Sequence, residues 1–83
     1  MIDHVSIAVR DLARSTRFYE AVLAPLGYQK LRDQPGTVGF GKQYPELWLN
    51  HRATVSVDPD SGAHVCLRAF DREAVDSFHE AAL

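Results

Sequence analysis

Residues 4–23 and residues 64–83 carry one pattern twice, sixty positions apart. His4, Val5, Asp11, Phe18, Glu20, Ala21 and Leu23 recur as His64, Val65, Asp71, Phe78, Glu80, Ala81 and Leu83. Ile7 and Leu67 match in kind. An internal repeat restricts the fold to two copies of one supersecondary unit. The first copy shows what that unit is. Val5, Ile7 and Val9 alternate with His4, Ser6 and Ala8, so Ile2–Arg10 reads as a strand with one apolar face. Its other face is small and polar, with a histidine near its start, and suits a pocket floor. Asp11 is placed to cap the helix that follows. Phe18, Ala21, Val22 and Leu26 form its apolar stripe, and Pro25 and Gly27 end it.

Three further strands follow in the first copy. Tyr28–Arg32 is the second, and Asp33-Gln34-Pro35-Gly36 is a turn. Thr37–Gly41 is the third, where Gly39 and Gly41 point to a bend or a close backbone approach. After a turn over Lys42–Pro45 comes Glu46–His51. There Glu46, Trp48 and Asn50 share one face, and Leu47 and Leu49 the other. A right-handed crossover makes strands one and two parallel, and tight turns make strands two to four a meander. Strand four can then return beside strand one. The expected class is α+β: a βαβββ module over residues 1–52, with a mixed sheet and one covering helix. Residues 53–63 read as a linker, with turn chemistry at Asp58-Pro59-Asp60-Ser61-Gly62. Residues 64–83 read as the first strand and helix of a second module, without the three strands that follow in the first copy. Val65, Leu67 and Phe78 are expected in the core with Val5, Ile7, Val9, Phe18, Val22, Leu26 and Leu47.

The bulk numbers narrow the function. Eighty-three residues make one small domain, and a net charge of -2 leaves no basic footprint for nucleic acid or an anionic membrane. No apolar run approaches membrane-spanning length. The single cysteine, Cys66, suits a reducing cytoplasm. It reads as a buried, inert thiol. His51 and His79 read as solvent-facing. The apolar stripe of Val75, Phe78 and Ala82 has little sheet to cover. The expectation is therefore that these residues belong to a longer chain, or associate, with a homodimer favoured.

The stretch HVSIAVRDLARSTRFYEAVLAPLGY resembles the opening of the vicinal-oxygen-chelate superfamily of glyoxalase I, bleomycin-resistance proteins and extradiol dioxygenases. The resemblance rests on His4, Asp11-Leu12, Arg14-Ser15, Phe18-Tyr19 and Leu26-Gly27, together with the repeat. It implies paired βαβββ modules around a small-molecule cavity. In metal-bearing members a divalent ion (Zn, Ni, Mn or Fe) is held from the first and fourth strands of each module. Carried over, the metal ligands are His4, Glu46 and His64, with Glu46 also the catalytic carboxylate. The fourth ligand has no counterpart. Ser6, Trp48 and Arg68 become pocket residues. The implied function is a metal-dependent lyase, isomerase or dioxygenase acting on a small molecule. The alternative is a metal-free drug-binding protein of the bleomycin-resistance type. The bare residue pattern also fits surface histidines at strand ends, an exposed Glu46, and Trp48 as plain core packing.

Overall fold

The computed structural model describes residues 1–54 and 62–83. The expected turn at Asp58–Ser61 lies outside the described residues. The elements run β1 (Val5–Val9), α1 (Leu12–Leu23), a single 3-10 turn (Ala24–Leu26), β2 (Gln29–Gln34), β3 (Thr37–Gly41), β4 (Pro45–His51) and α2 (Arg72–Ala82). The four strands form one mixed sheet in the order β1-β4-β3-β2. β1 lies parallel to β4, with Val5 opposite Leu47 and Ile7 opposite Leu49. β2–β3 and β3–β4 are antiparallel. The α+β class and the return of the fourth strand beside the first are as expected from sequence.

Local chemistry explains the boundaries. The Asp11 carboxylate accepts from the Arg14 amide at 3.0 Å, and Asp71 repeats the device on the Ala74 amide at 2.9 Å. Each cap satisfies a donor that a helix start leaves unpaired. α1 tightens into the 3-10 turn at Pro25 and stops at Gly27, whose φ of 87° is left-handed. The Gly27 amide donates to the Ala24 carbonyl and the Tyr28 amide to the Leu23 carbonyl. This satisfies carbonyls that the helix end leaves free. Pro35-Gly36 then closes the β2–β3 hairpin, with Gly36 at φ 82°. Lys30 on β2 reaches both Asp33, at 3.2 Å, and Glu20 on α1, at 3.8 Å. The hydrogen bond that the Lys30 ammonium donates to Asp33, and then the charge of Glu20, raise its pKa above the ordinary lysine value. The tie is therefore complete below the ordinary lysine range and is lost only as pH climbs through the raised value.

The core sits between the sheet and the helices. Phe40 and Leu49 are fully buried, with Val22, Leu23, Leu26, Val38, Leu47 and Ala74 around them. Val5, Ile7, Val9, Leu67 and Phe78 pack partly buried at its margin. Two expected core members are exposed instead: Phe18 at 46% and Val65 at 48%. The inward face of α1 is centred on Tyr19, Val22 and Leu23, about 100° round the helix from Phe18. Phe18 lies on the flank, edge-on to the Tyr19 ring at 5.2 Å.

The second copy of the repeat departs further. α2 forms and packs against α1 and the 3-10 turn. Residues 62–69 form no strand. They share a cavity with Val5, Ser6 and Ile7 of β1. A strand is defined by a ladder, and the described sheet, β1-β4-β3-β2, does not include this stretch. It is a strap rather than a fifth strand. Cys66, expected to be buried, is exposed on it.

Candidate functional site

The start of β1 and the start of β4 are neighbours because the two strands are parallel and Val5 faces Leu47. That register brings His4 and Glu46, the residues just before this pair, to one end of the sheet. Both line a depression of about 180 Å³ with Asp3, Tyr28, Val65 and Cys66. His4 is exposed, and its Nδ1 lies 3.5 Å from an Asp3 carboxylate oxygen. Glu46 is half-buried. His64 lines a different cavity. Its Nδ1 donates to the Gly62 carbonyl at 3.1 Å. The structure thus brings His4 and Glu46 together and leaves His64 apart. Among the described residues no three His, Cys, Asp or Glu side chains are gathered as a metal centre requires. The donor set present does not fit a bound divalent ion.

The uncovered face of the sheet has its own construction. Trp48 stands opposite Gly39 on β3. A Cβ on Gly39 would come within 2.9 Å of the indole and 3.0 Å of the Pro45 ring. The glycine therefore lets the indole lie flat on the strand, half-buried. Beyond it, the Thr37 hydroxyl donates to the Asn50 side-chain oxygen at 2.7 Å. Ser6 is exposed on β1, where its neighbour across the ladder is Trp48. Arg68 is exposed on the strap. Trp48 and Arg68 line neither of the two cavities named here.

The larger cavity lies on the helix side, between β1, α1, the strap and α2. It measures about 570 Å³ and is walled by Ile7, Phe18, Tyr19, Val22, Leu67 and Phe78, with Val5, Leu47 and Ala63–Val65 completing it. That volume falls within the range of small-molecule sites. Tyr19 and His64 are the polar side chains among its helix-side and strap walls, and Ser6 touches it from β1 with its side chain on the other face of the sheet. Sequence reading placed the pocket on the opposite face of the sheet. The signal for this cavity was the repeat itself. Two apolar stripes share one short sheet, and a gap between them follows when the second has no strand beneath it.

Among the described residues no helix is long and apolar enough to cross a membrane. No curated protein matches the chain. A family model described as Glyoxalase/Bleomycin resistance protein/Dioxygenase superfamily matches residues 1–82. With the strand–helix–three-strand unit, the repeated Asp caps and the paired His4 and Glu46 already in view, the match accounts for nearly every residue. The chain belongs to the Glyoxalase/Bleomycin resistance protein/Dioxygenase superfamily.

Proposed function

We propose that this domain binds a small, largely apolar organic molecule without transforming it, in the manner of the bleomycin-resistance branch of its superfamily. The supporting observation is the helix-side cavity of about 570 Å³, walled by aliphatic side chains and the rings of Phe18, Tyr19 and Phe78. Apolar walls supply affinity by removing ligand surface from water, and a few polar groups fix orientation. Tyr19 and His64 are those groups. The one cysteine suits a cytoplasmic setting.

The reading as a metal-dependent lyase, isomerase or dioxygenase rests on a narrower base. His4 and Glu46 share a depression, but a third donor is needed, and His64 is held by the Gly62 carbonyl. The two readings part in a binding assay with indole, a neutral aromatic of suitable size. Indole is expected to bind equally well before and after treatment with a chelator, and equally well in His4→Ala. Loss of binding in either case, with about one equivalent of divalent metal found by elemental analysis, would favour the metal centre.

The outer edge of β1 also bears on assembly. β1 pairs only with β4 among the described strands, and an open strand edge favours pairing with another chain. We propose a homodimer formed along this edge. Sedimentation equilibrium is expected to give a dimer at micromolar concentration. A monomer at every concentration would exclude it.

A further inference from the structure

Phe70 is 68% exposed, yet its ring is held in a defined place. It stands at the end of the strap, immediately before the Asp71 cap of α2. Lys42, from the bend between β3 and β4, places its ammonium 4.6 Å from the Phe70 ring centre. The same ammonium lies 5.2 Å from the ring centre of Tyr28, just before β2. Both distances fall within the reach of a cation–π contact. Gly27 makes room for the arrangement. A Cβ there would lie 2.9 Å from the Phe70 ring and 3.6 Å from the Lys42 chain.

Hydrophobic burial is too slight to fix so exposed a ring; the strap behind it packs on the core margin through Leu67 and Ala69, and its last residue is left to the contact with Lys42. Ala63, His64, Val65 and Leu67 of that strap wall the larger cavity, and Val65, Cys66 and Leu67 wall the smaller one. We propose that Lys42, Tyr28 and Phe70 form a charge-dependent latch, and that the positive charge on Lys42 holds the strap closed over both cavities. The Lys42 amine is exposed, so a modification that neutralises it, such as acetylation, would reach the latch directly. Acetylation keeps the side-chain length and removes the cation. The strap would then open locally while the sheet and core stay folded.

Amide hydrogen exchange on the whole chain tests this without any ligand. The variants are Lys42→Gln, which removes the charge, Lys42→Arg, which keeps it, and Phe70→Leu, which removes one ring. Exposed cation–π contacts are modest, so the Ala74 and Val75 amides, hydrogen-bonded to Asp71 in the turn of α2 that Phe70 precedes, should exchange about two- to fivefold faster in K42Q and F70L. They should stay close to the parent rate in K42R, and the Leu49 amide should be unchanged in all three. Equal exchange of these two amides in K42Q and K42R would overturn the latch. So would a matching acceleration at Leu49, which would mean that the whole domain had been destabilised.

Discussion

Phe40→Ala is expected to destabilise the domain by about 3–5 kcal/mol, the range for removing a fully buried aromatic side chain. Phe40 has no exposed surface. It sits on β3, opposite Leu47 on β4 and Lys30 on β2. It therefore projects from the middle of the sheet into the layer formed by Val22, Leu23 and Leu26. Little can move to fill the space it would leave. The strands on both sides are held by ladders, and the helix face above is pinned by the Asp11 cap and the Gly27 stop. Native domains are typically stable by roughly 5–15 kcal/mol, and a chain of this length belongs near the lower end. The variant should populate the unfolded state measurably without denaturant. Urea unfolding followed by circular dichroism gives the value. A midpoint within error of the parent would mean that Phe40 is not the centre of the core.

Gly41→Ala is expected to be nearly as damaging, at roughly 2–4 kcal/mol, for a different reason. The register between β3 and β4 shifts between Phe40 and Gly41. At that irregularity the chain turns back so tightly that a Cβ on Gly41 would collide with the Tyr44 carbonyl oxygen, with the Tyr44 carbonyl carbon at 2.8 Å. The obstacle is backbone, so no side-chain rotation relieves it. The bend at Lys42–Tyr44 must open, and β4 must shift along β3. Glu46, Trp48 and the Lys42 ammonium would move with it. Thermal melting should show the loss of stability, and Trp48 fluorescence should report a changed environment in the folded fraction. Gly36→Ala is the instructive contrast. No atom lies within 4 Å of a Cβ there, so only the cost of its left-handed backbone remains, about 1 kcal/mol. Equal losses at the two glycines would contradict this reading of Gly41.

How much of this was legible in the sequence depends on how local the cause is. The caps were legible because Asp11 and Asp71 act on amides three residues away. The helix stop was legible because Pro25 and Gly27 each restrict or permit a particular backbone angle. Alternation in β1 and β4 fixed which residues face the helices. Leu47 and Leu49 are buried while Glu46, Trp48 and Asn50 are not. Other features depend on neighbours that periodicity does not name. The apolar stripe of α1 was read as Phe18, Ala21, Val22 and Leu26; the inward face instead runs through Tyr19, Val22 and Leu23, which leaves Phe18 and Ala21 exposed. Phe40 went unremarked because a strand flanked by glycines does not reveal which face will be covered. The stretch 64–70 has the composition of a strand, but a strand needs a partner, and the described sheet ends at β1.

The candidate site divides along the same line. That His4 and Glu46 line one depression follows from the pairing of β1 with β4, which the topology argument anticipated. That His64 stays apart follows from a strap whose path no local rule determines. The cavity lies where two helices share one sheet, and its walls come from four separate segments. Spacing along the chain carries no direct record of it.

The most direct measurement is a titration of the isotopically labelled chain with indole, followed by amide and side-chain NMR shifts. Binding in the helix-side cavity should move the signals of Ile7, Tyr19, Leu67 and Phe78 together and to saturation, and leave Trp48 and Asn50 still. Saturating shifts centred on Trp48 and Asn50, or none at all, would contradict a ligand site between β1, α1 and the strap.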